Sequence, residues 1–163
     1  MDFFSPGAHI EGSYLVHDVR KSGTSVVYSC HDEIFDRPVA IKTPQYDSAK
    51  QLKNSVEIFV QGAKRWILAG KDMGFVEAYT LFTVPTDDGL NVPYLVMEFI
   101  KGDPQSGSSL LGWIHDSRFD LQLKLNFAHA ICSGMIKIQK KLGRPGSDFV
   151  HLNLKPQNIL VTH

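Results

Sequence analysis

The sequence predicts an α+β chain: a five-stranded antiparallel sheet with one helix, followed by an incomplete helical region. Three observations predict it. Short β-branched and aromatic runs separated by turn residues fill 14–42 and 75–99. Between them, 50–69 changes to helical spacing. Past a stretch rich in breakers, 121–141 is apolar around most of a helical circumference.

The first strand is Tyr14-Leu15-Val16, and a polar turn at Ser22-Gly23-Thr24-Ser25 leads to Val26-Val27-Tyr28-Ser29-Cys30. A loop with Asp36-Arg37-Pro38 precedes Val39-Ala40-Ile41-Lys42, which Pro44 ends. Short connections make these three an antiparallel meander. Val56, Phe59, Val60, Ala63, Trp66 and Ile67 then recur at helical spacing, and Gly70 and Gly74 bracket the exit. Tyr79 to Val84 alternate, Thr86-Asp87-Asp88-Gly89 turns the chain, and Pro93 to Phe99 return, so this is a hairpin. Residues 1–100 thus form one lobe. Residues 101–109, KGDPQSGSS, read as a hinge or linker. The second region, 110–163, has a short helix at Leu110–His115 and the long one at 121–141. The long helix needs partners on several sides, and an unpartnered apolar face is expected around Phe127, Ile131 and Ile138.

The 163 residues suffice for a domain-sized core. Lys plus Arg and Asp plus Glu stand at 17 each, so no global field points to nucleic acid or an anionic membrane. The two cysteines, Cys30 and Cys132, are too few for a disulfide framework and sit in apolar surroundings, which predicts buried thiols in a reducing compartment. The N-terminus lacks the basic and apolar regions of a signal peptide, and no window approaches the ~18 apolar residues of a spanning helix. The expected location is the cytoplasm.

The chemistry concentrates in two motifs. One is VAIK, ending at Lys42. The other is His151-Leu152-Asn153-Leu154-Lys155-Pro156-Gln157-Asn158, which has the spacing of a phosphoryl-transfer loop. In this order (strands, VAIK, helix, hairpin, hinge, buried helix, HLNLKPQN) the chain resembles a eukaryotic-type Ser/Thr protein kinase of the bacterial branch. The resemblance runs from about Gly12 through the catalytic loop. It stops before a DFG motif and activation segment, so the expectation is a kinase-like N-lobe followed by a C-lobe truncated after the catalytic loop.

The resemblance implies ATP and Mg²⁺ as cofactors. Lys42 would hold the α- and β-phosphates, and Arg20, Ser22 and Gly23 occupy the nucleotide-loop turn. Val27, Ala40, the gatekeeper Met97 and the hinge residues Glu98 and Ile100 would surround the base. Asn158 matches the metal-binding Asn, while Lys155 and His151 match conserved members of the catalytic loop. Four departures oppose activity. The nucleotide loop has Arg20, Ser22 and Ser25 where the three motif glycines belong. The helix Glu that pairs with the strand Lys falls on Gly62, and Glu57 lies about 140° round the helix from it. Leu152 replaces the loop Arg. Asn153 replaces the Asp that accepts the substrate proton, and an amide oxygen is far too weakly basic for that task. The expected function is therefore a pseudokinase with a regulatory or partner-binding role, acting on a protein partner or an attached domain, with weak or no ATP binding. The alternative is an unorthodox active Ser/Thr kinase that uses another base.

Overall fold

The computed structural model describes residues 4–45, 49–70, 74–86, 89–143 and 153–162. It forms two compact units. The first is Met1–Leu68 with Glu77–Phe99, and the second is Ala69–Val76 with Ile100–His163.

The first unit is a sheet of six strands, not five. They are β1 (His9–Ile10), β2 (Tyr14–Ser22), β3 (Ser25–Asp32), β4 (Arg37–Pro44), β5 (Ala78–Pro85) and β6 (Asn91–Glu98), and one helix, α1 (Ala49–Ala69), joins β4 to β5. The order is β1-β2-β3-β4-β6-β5, and every neighbouring pair is antiparallel. Strand β1 escaped the sequence reading because two residues give no alternation, yet its Ile10 is fully buried. Alternation along β3 sends Val26, Tyr28 and Cys30 inward, where they meet Ile41 from β4 and Tyr94 and Val96 from β6. The sheet curls around this core. Tyr14 on β2 stacks on Phe82 of β5 at 5.8 Å between ring centres, although those strands are not hydrogen-bonded to each other. On the opposite face, α1 presents Phe59, Ala63, Trp66 and Ile67 to Leu81 and Leu95. Gly70, at φ +71°, supplies the left-handed residue that follows the helix.

The second unit holds a short helix α2 (Leu110–Trp113), the long α3 (Leu121–Leu142) and a 3₁₀ turn at Pro156–Asn158. Asp120 caps α3 by accepting the Leu123 N–H at 2.8 Å, and Lys140 and Lys141 lie in its last turn, where cations suit the helix dipole. Leu110, Trp113, Phe119 and Val161 form the core, with Leu123, Phe127 and Ile131 against it. The expectation of an open face at Phe127, Ile131 and Ile138 is therefore corrected. Ile138 is only 2% exposed, and the large apolar side chains of α3 that stand exposed are Leu121, Leu125 and Ile136. The thiol expectation is corrected too: Cys30 is buried but Cys132 is exposed. No helix among the described residues is long and apolar enough to cross a membrane.

Candidate functional site

Strand register gathers most of the first unit's site residues. Arg20 pairs with Val27, Val27 with Lys42, and Lys42 with Leu95, which makes one cross-strand row over four strands. The next row runs through Ser29, Ala40 and Met97. Because side chains alternate, both rows lie on the face opposite the aromatic core, the face that also carries α1. Arg20, Val27, Ala40, Lys42 and Met97 thus share one surface. Lys42 is half-buried. Its neighbours Ile41 and Thr43 are fully buried on the other side, and the Thr43 hydroxyl donates to the Pro93 carbonyl at 2.9 Å. A lysine set in a central strand between two such anchors has a fixed point of departure.

The turn between Ser22 and Ser25 is a close hairpin. The ladder runs to Ser22 and Ser25, with Gly23 and Thr24 between them. Gly23 takes φ +55°, which favours glycine. The Ser22 side chain is outside the described residues. Arg20 is exposed, and its Nε donates to Asp18 at 3.0 Å, an interaction that holds the Asp18 carboxyl below its ordinary range. On α1, Gly62 is exposed and a Cβ there would meet nothing within 4 Å. Glu57 is also exposed and accepts from Gln61 at 3.4 Å. At the end of β6, the Glu98 carboxylate accepts the Glu77 N–H at 3.4 Å. Ile100 is half-buried at the start of a segment of the second unit.

In the second unit the loop is built around one clasp. The Asn158 side-chain amide donates to the Asn153 carbonyl oxygen at 2.9 Å, and the Asn158 N–H donates to the Lys155 carbonyl at 2.9 Å. Pro156 opens the 3₁₀ turn, where its missing N–H is no loss. Asn153, Lys155 and Asn158 are all exposed. The clasp uses the Asn158 nitrogen, which leaves its carbonyl oxygen as the atom able to face a cation. A magnesium ion takes an octahedron of oxygens. Among the described residues, no group of three or more His, Cys, Asp or Glu stands ready to hold a metal. His151 and Leu152 lie outside the described residues.

Sequence reasoning missed a further polar cluster. The stretch read as a linker folds back on itself: the Asp103 N–H donates to the Gly107 carbonyl at 3.1 Å, and the Gly107 N–H to the Asp103 carbonyl at 2.9 Å. Arg118 forks onto Asp103, Nη1 to Oδ2 at 3.1 Å and Nη2 to Oδ1 at 3.0 Å. Its Nε also donates to Asp116 at 3.0 Å. Arg118 thereby holds both carboxyls well below the usual carboxylate range. The sequence shows only Asp103, Asp116 and Arg118 scattered along a polar stretch, and their pairing depends on the fold.

No family model matches the chain. It is similar to a probable serine/threonine-protein kinase of Clostridium acetobutylicum, 26% identical over 96% of this chain and 21% of the relative. It is also similar to the serine/threonine-protein kinase PksC of Streptomyces coelicolor, 26% identical over 93% of this chain and 26% of the relative. Against the serine/threonine-protein kinase PrkC of Bacillus subtilis it is 24% identical, over 96% of this chain and 22% of the relative. The chain spans about a fifth to a quarter of the length of the curated relatives it matches. It is therefore kinase-like over nearly all its length and corresponds to part of a kinase domain. Its curled antiparallel sheet with one packed helix, and its mainly helical second unit, are consistent with a kinase N-lobe and the beginning of a C-lobe.

Proposed function

We propose that the chain is a kinase-like module without phosphotransferase activity, with a regulatory or partner-binding role in the cytoplasm. The observation that carries this reading is Asn153, at the position where the kinase-type loop needs a carboxylate. A positioned general base is worth about 10²–10⁴-fold in rate, and an amide supplies none of it. Gly62 on the open side of α1 supports the same reading, since it offers no carboxylate to orient Lys42. Lys42 and Asn158 are retained, so any nucleotide that binds does so weakly, through the lysine's charge and one amide oxygen. Partners are proteins or attached domains that recognise the folded surface.

The test is a γ-phosphoryl transfer assay with Mg²⁺ and ATP, run beside a calorimetric titration of ATP. The expected result is no transfer by the chain or by Lys42→Ala, and weak or no heat. Transfer that Lys42→Ala abolishes would overturn the proposal and favour a kinase with a different base. Asn153→Asp is expected to remain inactive, because the glycine loop and the helix Glu are also absent.

A further inference from the structure

We propose that Arg118 is a positioning residue for the kinase-type loop: its clamp on the 103–107 turn holds the segment to which the end of that loop is hydrogen-bonded. The proposal rests on reading 153–158 as a kinase-type loop for its significance, and on hydrogen bonds alone for its geometry.

The clamp is built from one guanidinium and two carboxylates. Besides the fork to Asp103, Arg118 reaches Asp116 with Nε at 3.0 and 3.1 Å, and with Nη2 at 2.5 Å. Nη2 also donates to the Ser106 hydroxyl at 3.2 Å, and that hydroxyl donates in turn to Asp116. Asp103 Oδ1 accepts the N–H groups of Gln105 at 2.9 Å and Ser106 at 2.8 Å, so the same carboxylate shapes the turn. The guanidinium carbon lies 4.9 Å from the Trp113 ring centre, and the Trp113 indole N–H donates to the Gly107 carbonyl at 3.2 Å. Asp103 and Asp116 are 8% and 2% exposed at their side chains, while Arg118 is 46% exposed, so the guanidinium covers the two carboxylates and itself faces solvent. The turn is also packed against α2 at van der Waals limits. A Cβ on Gly112 would run into the Ser106 carbonyl oxygen.

The clamp ends where the loop's anchor begins. Ser108, the residue after Gly107, accepts the Val161 N–H at 2.9 Å, and the Leu110 N–H donates to the Ile159 carbonyl at 2.8 Å. Ser109 and Leu160 form the bridge between these two bonds. Ile159 is the residue after Asn158, which clasps Asn153. Hydrogen bonds joined by the peptide links at 107–108 and 158–159 therefore connect Arg118 through 103–107 and 108–110 to 159–161 and the loop. A forked, charge-assisted network is more directional than apolar packing, so it fixes where the segment sits as well as holding it down.

Amide hydrogen exchange on the chain tests this. Arg118→Met is expected to speed exchange at Leu110 and Val161 by about tenfold or more, while amides in the middle of α3, such as Ile131 and Ile138, keep their rates. Arg118→Lys keeps the charge but cannot fork, so intermediate rates are expected at Leu110 and Val161. Equal acceleration in α3 would mean general destabilisation and overturn the proposal. So would opening of the 103–107 turn with Leu110 and Val161 unchanged. Should Arg118→Met fail to fold, Asp103→Asn, which keeps the Asp116 pair, is read against the same criteria. None of these outcomes depends on phosphoryl transfer, so failure of the proposed function and failure of the clamp remain distinguishable.

Discussion

The two units are stabilised in different ways. Of the eleven largest fully buried side chains among the described residues, all but Ile138 belong to the curled sheet unit. The helical unit has a smaller apolar cluster around Trp113 and Phe119, and adds the Arg118 clamp beside it. The sheet unit places Lys42 by strand register, while the helical unit places the 153–158 loop by side-chain and main-chain clasps. Apolar burial is non-directional and scales with area, so it gives a robust scaffold. Charge-assisted networks are directional but depend on a few atoms. A module built on both should tolerate surface change in its sheet and be sensitive to single polar substitutions near its loop.

The contrast is sharpest at the two cysteines. Burial pushes the Cys30 thiol up to about 12 from an ordinary 9.0, which leaves it about a thousandfold less ionised than an exposed thiol at neutral pH. Cys132, on the open side of α3, is accessible. Iodoacetamide at pH 7.5 is therefore expected to alkylate Cys132 while Cys30 reacts only after denaturation, as peptide mass mapping will show. Because the folded value lies above the unfolded one, Cys30 favours folding at neutral pH, and that contribution disappears as pH rises from about 9 to 12. Rapid modification of Cys30 in the folded chain would show that the sheet core opens readily.

Next in size is the packing difference itself. Ile41→Ala removes a fully buried side chain from the sheet core and should cost about 2–5 kcal/mol. Leu125→Ala, at a side chain 57% exposed, should change stability by less than about 0.5 kcal/mol. Urea unfolding compares them, and similar losses would mean that Leu125 is packed against something in solution. A smaller effect than the core truncation, and of opposite sign, is expected at Gly62. Its added Cβ meets nothing, so Gly62→Ala should raise the melting temperature through helix propensity worth about 1 kcal/mol. A decrease would show that the helix needs glycine there.

How much of this was legible follows from the range of each interaction. VAIK and HLNLKPQN are local patterns, and strand alternation with short turns is local too, so the meander, α1, the hairpin and α3 could be read directly. The shared face of Arg20, Val27, Lys42 and Met97 needs the register of four strands, which no single segment specifies. Strand β1 is too short to carry a period. The open side of α3 was misassigned because its apolar residues surround the helix and give no preferred direction. The Arg118 clamp joins positions 103, 106, 116 and 118 across a turn that composition marks only as rich in breakers, so it becomes visible when the backbone closes at Asp103 and Gly107.

One further consequence belongs to the clasp between Asn158 and residue 153. Its acceptor is a main-chain carbonyl, which every amino acid possesses. Asparagine and aspartate codons differ by one nucleotide. A lineage can therefore discard or regain the carboxylate at this position in a single genetic step, without dismantling the clasp that shapes the loop. The loop's shape and the side chain it presents at position 153 are thus separable by one substitution.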